Sequence, residues 1–301
     1  ESIPLVLSEG ISAKKPFILS NVGDMRFLAE KYNIIAPGSK DLNLADCNSV
    51  DNFFSNNEID VVIHSACKPG HRNAKDHTEL LRTNTQMFLN LEKHHYKYEK
   101  MIVLGSGAIY DMRYYVPKMK EEYFGIHIPV DDHGLTKYVC GKIIDNSKNI
   151  IDLRIFGIFG RYEDYAIRFI SNMICKALLD LPLSMNQNRK FDYLYINDLM
   201  PVLEYFLNHA SKYNCYNITP DNSIDLYSIA EIIKTVSRKN LPIITAKDGM
   251  GIEYSGDNSR LKNEIKNINF TKMIDSIKEL YLWYNERKDL LNKEIILKEK
   301  F

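Results

Sequence analysis

Three residues in this sequence carry groups that could move a proton at a ligand oxygen. His133 and Lys137, in "DDHGLTKYVCGK" (131–142), stand four residues apart. On a helix that spacing puts both on one face, a turn apart. Ser106 follows the apolar run "MIVLG", where the carboxyl end of a strand presents a hydroxyl to a ligand. If the three converge, the hydroxyl binds a substrate oxygen and the ring moves a proton. The ammonium holds a ribose and lowers the pKa of the acid. A solvated lysine, a capping serine or a structural histidine explains any one of them singly; the chemistry lies in the combination.

The framework that must position them is legible as alternating apolar strands and helical segments. Strands are predicted at "YNIIAPGS" (32–39), "IDVVIHSA" (59–66), "KMIVLGSG" (100–107) and "NIIDLRIFG" (149–157). Helices are predicted at "VDNFFSNN" (50–57), "TELLRTNTQMFLNLEKHH" (78–95) and "GLTKYVCGKIIDNSK" (134–148). Strands that are apolar throughout and separated by helices imply a doubly wound parallel α/β sheet, Rossmann-like, covered on both faces. Ligands of such sheets sit outside the carboxyl ends of the strands. Either "IPLVLSEG" or "KPFILSNVG" supplies the first strand. The last third carries helices at 199–211 and 225–239 with short strands between them. It reads as a smaller C-terminal α/β substrate lobe, so the expected division is 1–160 for the nucleotide-binding domain and 161–301 for that lobe.

Composition narrows the class. The 301 residues include 39 Lys+Arg and 39 Asp+Glu, so no global field attracts nucleic acid or an anionic membrane. No apolar run approaches ~18 residues, and no charged-then-apolar leader opens the sequence. A soluble, cytoplasmic protein is expected. The five cysteines (Cys47, Cys67, Cys140, Cys175 and Cys215) are scattered and never form C-x-x-C. That pattern argues for packed thiols in a reducing compartment, without a disulfide framework or a metal site.

Many short segments, in order, resemble the extended short-chain dehydrogenase/reductases that act on nucleotide sugars, GDP-L-fucose synthase-like enzymes in particular. The similarity runs from about residue 28 to about residue 285. "GSGAIY" resembles the family's serine-to-tyrosine run and selects Ser106, with Gly107 beside the substrate. "DLNLADCNSVDNFF" places Asp46 near an adenine. "VVIHSACKPG" places Ser65, Ala66 and Cys67 beside a cofactor, and "RTNTQMFLNL" supplies the helix asparagine, Asn84. "RIFGIFGRYE", "KFDYLYINDL" and "YNIT" resemble the strand ends around the substrate. Arg189 lies close to the second of these, and "GDNSRL" makes Arg260 the expected diphosphate ligand. The resemblance implies a homodimer built from helices 78–95 and 134–148, with Leu81, Phe88, Leu89, Leu91, Val139 and Ile143 as its apolar positions.

The sequence departs from that pattern in five places. His133 stands where the family has its catalytic tyrosine; a free phenol titrates near ~10 and an imidazole near ~6.5. The opening segment holds only Gly10 and Gly23, so the G-x-x-G-x-x-G that lets backbone approach a pyrophosphate is missing. Weaker dinucleotide binding than in a typical member is expected. Gly157 replaces the usual asparagine and Phe191 a frequent arginine. No acid follows "YNIIAPGS" to hold a ribose hydroxyl; Ser39 and Lys40 suit a 2′-phosphate, which favours NADP over NAD. The resemblance implies C4 reduction or epimerisation of a nucleotide-linked 4-keto-6-deoxy sugar for surface polysaccharide, with Ser106, His133 and Lys137 catalytic. The alternative is a degenerate member that binds a nucleotide sugar or a partner enzyme without turnover.

Overall fold

The computed structural model describes residues 16–19, 31–70 and 74–297. Six parallel strands form the main sheet: β1 (Pro16–Leu19), β2 (Asn33–Ile35), β3 (Val61–His64), β4 (Lys100–Ser106), β5 (Ile150–Ile155) and β10 (Cys215–Ile218), in the order β10-β5-β4-β3-β1-β2. β1 comes from "KPFILSNVG", which decides between the two candidate first strands. The replaced glycine loop that follows it lies outside the described residues. Chain order reverses between β1 and β3, so the crevice that receives ligands opens at their carboxyl ends.

Both faces of the sheet are covered, which is why every residue of β3 and β5 is buried. On one face lie α1 (Cys47–Asn56), α2 (Leu80–Glu92) and α3 (Asp132–Ile144). Val50, Phe54, Phe88, Leu91 and Ile144 pack there with Val62, Met101 and Val103. Phe88 and Leu91, expected at a dimer contact, are therefore core; the sequence pattern could not separate a helix face turned to the sheet from one turned to a partner. The other face packs on α5 (Ile196–Asn208) through Leu199, Val202, Leu203 and Phe206.

The remaining strands are short: β6 (Gly157–Phe159) pairs with β9 (Tyr193–Tyr195), β7 (Leu183–Asn188) with β12 (Ile243–Met250), and β8 (Lys190–Phe191) with β11 (Ile224–Asp225). With α4 (Phe169–Leu178), α6 (Leu226–Ser237) and α7 (Met273–Asn285) they build a second core around Ile174, Ile229, Ile233, Ile277 and Leu280. A division near residue 160 is crossed again by the chain, because α5 and β10 return to the main sheet. All five cysteines are free. Among the described residues no helix is long and apolar enough to cross a membrane.

Predicted elements were right in kind and off by a few residues at their ends. The strand expected at 149–157 breaks after Ile155 and resumes as β6, because Gly157 leaves the sheet to donate its N–H to the Asp192 carbonyl at 3.0 Å. A Cβ at Gly157 would lie 2.8 Å from that same oxygen, so an asparagine does not fit here.

Candidate functional site

β4 delivers Ser106 to the carboxyl end of the sheet, where its Oγ accepts the Ala108 N–H at 3.1 Å and caps the turn 107–109. The start of α3 is set by Asp131, whose carboxylate accepts the Gly134 N–H at 2.8 Å. Gly134 then allows close approach: a Cβ there would stand 2.7 Å from the Ala108 carbonyl. The first turn of α3 thus presses against the turn that follows Ser106. His133 belongs to that first turn and Lys137 to the next. The start of α3 and the end of β4 are thus neighbours at the carboxyl end of the sheet.

The electrostatics are specific. The His133 ring is open to solvent, yet partial desolvation holds it below the ordinary imidazole range, and Lys137 and Arg168 push the same way against Asp131. The ring is therefore mainly neutral at neutral pH. Lys137 also lines a small cavity with His64, Cys67, Asn84, Thr136, Cys140 and Asp152. His64 ends β3 and is 6% exposed. Burial first, and Lys137 second, depress it to about 3, and its Nδ1 is buried without a hydrogen-bond partner. Burial also pushes the Cys140 thiol up to about 12.

Residues expected at a cofactor divide into four groups. Ser65, Ala66 and Cys67 leave the end of β3 and border the crevice. Asn84 acts on that loop from α2: its Oδ1 accepts the Lys68 N–H at 2.6 Å and its Nδ2 donates to the Lys68 carbonyl at 3.2 Å. Ser39 and Lys40 lie exposed in the turn after β2, which the Asp41 carboxylate pins through the Gly38 N–H at 3.3 Å. Asp46 is occupied as the N-cap of α1, accepting from Asn48 N–H at 3.0 Å.

On the substrate side, Gly107 is buried, with its carbonyl accepting the Tyr115 hydroxyl at 3.1 Å. Arg189 lies beside Phe191, with its guanidinium 6.0 Å from the ring centre. Arg260 is not brought to the cleft. It forms an ion pair with Glu122 at 2.6 Å and a longer one with Glu121 at 3.8 Å, and it donates to the Cys215 carbonyl at 3.3 Å. Cys215 is level with Val103 across β5, three residues before Ser106. That places this end of β10 about 10 Å below the site. A motif match to "GDNSRL" could not reveal that two acidic residues at 121 and 122 compete for the guanidinium.

Several site residues escaped sequence reasoning. Arg154 is fully buried in β5; its Nε donates to Asp152 at 2.9 Å and its Nη1 to the Tyr110 hydroxyl at 3.0 Å, while Phe124 covers the guanidinium at 4.6 Å. The Tyr110 hydroxyl in turn donates to Asn217 Oδ1 at 2.8 Å. This network ties β5 and β10 to the segment that follows β4. Above it Tyr115, Phe156 and Tyr254 form an aromatic wall, Tyr254 arriving from a segment with no helix or strand pattern. His64 looked like any buried strand residue.

The sequence profile of the NAD dependent epimerase/dehydratase family matches residues 25–219. The chain belongs to that family. No curated protein matches it significantly. Among solved structures, it is similar to a GDP-mannoheptose C4 reductase from Campylobacter jejuni with NADP bound, at 16% identity and a TM-score of 0.76 over 91% of this chain and 99% of that one. It is also similar to a GDP-L-fucose synthetase from Naegleria fowleri, at 14% identity and 0.76 over 94% and 96%. UDP-glucose 4-epimerase from Thermotoga maritima gives 15% and 0.74 over 92% and 100%.

Proposed function

We propose that this protein uses NADP(H) to convert a nucleotide-linked 4-keto-6-deoxy sugar, by C4 reduction in the direction that the site favours. One observation carries the reading: α3 is packed through Gly134 onto the turn after Ser106, so a hydroxyl, an imidazole and an ammonium share one end of the sheet. A GDP-sugar C4 reductase and a GDP-L-fucose synthetase having this fold support the substrate class.

The residues present fit the cofactor. Lys137, Cys67 and the unpartnered His64 Nδ1 line one small cavity between the sheet and α2 and α3, and Ser39 and Lys40 are exposed where they could meet a 2′-phosphate. When bound, NADPH supplies hydride. The work of the chain is then to bind and protonate. Ser106 holds the sugar C4 oxygen by donating its hydroxyl proton as a hydrogen bond. His133, charged in a minority of molecules at neutral pH, gives that oxygen its proton. Lys137 holds ribose hydroxyls, and its positive charge keeps the His133 proton mobile. Arg189 offers a guanidinium to the nucleotide diphosphate.

The test is turnover of GDP- and UDP-linked 4-keto-6-deoxy sugars with NADPH, followed at the reduced-nicotinamide absorbance band. Activity lost in both Ser106→Ala and Lys137→Met, in proteins that stay folded, supports the assignment. Turnover that survives both changes overturns it.

A further inference from the structure

We propose that Cys47 and Lys93 form a peroxide-sensitive site, in which oxidation joins the Cys47 sulfur to the Lys93 nitrogen and ties α1 to α2. The inference stands apart from the reduction proposed above and uses residues that have no part in that chemistry.

Geometry sets the pair up. Cys47 opens α1, and Lys93 caps the end of α2, where its N–H donates to the Leu89 carbonyl at 2.9 Å. The Lys93 Nζ lies 3.3 Å from the Cys47 Sγ. The Asp51 carboxylate, one turn on from Cys47, holds both. Each of its oxygens accepts from Lys93 Nζ at 2.7 Å, and one faces the thiol at 3.8 Å. That carboxylate is itself fixed. His94 Nε2 meets it at 2.8 Å, and the buried His94 ring is stacked on Phe54 at 4.7 Å. Cation and sulfur are therefore held together by two helices that pack into the same core.

Access separates this thiol from the others. Cys140, Cys175 and Cys215 are buried, and burial pushes their thiols up to about 12, about 12 and about 11. Cys67 is exposed, and its Sγ donates to the Lys68 carbonyl at 3.4 Å. Cys47 is half-buried and the Lys93 side chain half-exposed, so a small oxidant reaches the sulfur while the amine stays beside it. An accessible thiol next to a cation is where peroxide attacks.

The chemistry balances with hydrogen peroxide as the oxidant. Peroxide converts the Cys47 thiol to a sulfenic acid, and its other oxygen leaves as water. The Lys93 ammonium gives one proton to solvent, and the free amine attacks the sulfur. The Asp51 hydrogen bond keeps Lys93 charged, which makes loss of that proton the slow step. The S–N bond forms and the S–O bond breaks. The departing oxygen takes the proton that nitrogen releases and leaves as a second water. Sulfur is oxidised by two electrons and peroxide is reduced. A dithiol reverses the change: it returns thiol and amine and becomes its own disulfide.

The test is peroxide treatment of the purified protein, then digestion and mass spectrometry. The expected product is a Cys47 peptide joined to a Lys93 peptide, lighter by two hydrogens than the two together. It should disappear with dithiothreitol and be missing in Cys47→Ser and in Lys93→Arg, which keeps the cation. The bond bridges a sequence separation of 46, so the thermal midpoint should rise by a few degrees in wild type and stay unchanged in Lys93→Arg. Cys47 oxidised to a sulfinic or sulfonic acid with Lys93 unmodified overturns the proposal, as does a joined pair that retains the oxygen. So does an unmodified Cys47 at a peroxide concentration that oxidises Cys67, or a midpoint that rises equally in Lys93→Arg.

Discussion

Acid should weaken this fold through one buried residue, His64. The folded imidazole is held at about 3 by burial and Lys137, whereas the unfolded chain leaves it near ~6.5. Between those values the unfolded state binds a proton that the folded state refuses, so stability falls as pH falls. The contribution is whole above about 6.5 and is lost progressively toward 3. At pH 5 the unfolded histidine lies roughly 1.5 pKa units above the solution pH, and at about 1.4 kcal/mol per unit the loss is about 2 kcal/mol. Glu163 and Asp192, raised by burial to about 7 and about 6, act with the opposite sign. They bind protons in the folded state first and stabilise it as pH falls. The comparison must therefore be made between two proteins that share them. Urea unfolding of the wild type and of His64→Gln at pH 7 and pH 5 isolates the histidine. Wild type should lose about 2 kcal/mol more than the variant over this range. Equal pH dependence in the two proteins would refute the assignment of His64 as a buried neutral imidazole.

Three further outcomes follow from the geometry. His133→Phe should lower kcat by roughly 10²-fold or more with KM nearly unchanged, and His133→Tyr should preserve or raise activity; because His133 is held below its ordinary range, the wild-type reduction rate should rise as pH falls below neutrality, and steady-state pH profiles should lose that limb in His133→Phe. Arg154→Met leaves Asp152 buried without its cation and should destabilise the fold by about 3–5 kcal/mol in urea unfolding. Leu89, at 36% exposure on α2, is the large apolar side chain left open beside the buried Phe88 and Leu91; light scattering is expected to report a dimer, and Leu89→Asp a monomer.

How much of this was readable in the sequence depends on the range of the signal. The parallel sheet was legible because "VVIH" and "IIDLRI" are short apolar runs between helical segments. The Ser106, His133 and Lys137 group was legible because its two parts are local, a strand end and an i,i+4 pair. What packs α3 on the turn after β4 was not: Gly134 against the Ala108 carbonyl is a close approach to backbone, and nothing in the letter G announces it. The fate of Arg260 was hidden because its two acidic partners lie more than 130 residues away. Tyr254 belongs to an irregular segment whose place is fixed by a bridge to Phe191 and backbone hydrogen bonds to Lys190 and Asp192 rather than by periodicity. The apolar stripe of α2 announces burial without naming what covers it, and Phe88 and Leu91 face the sheet.

The central claim is a nicotinamide-dependent reduction at this site, and a single-turnover experiment addresses it most directly. Purified protein is titrated calorimetrically with NADPH and NADH, then mixed with a 4-keto-6-deoxy nucleotide sugar. The account predicts binding weaker than in relatives that keep the glycine fingerprint, a preference for NADPH, and loss of one reduced nicotinamide per sugar reduced at C4, abolished in Ser106→Ala. Nucleotide sugar that binds to folded protein while NADPH neither binds nor is consumed would contradict it and leave a binding protein built on the same fold.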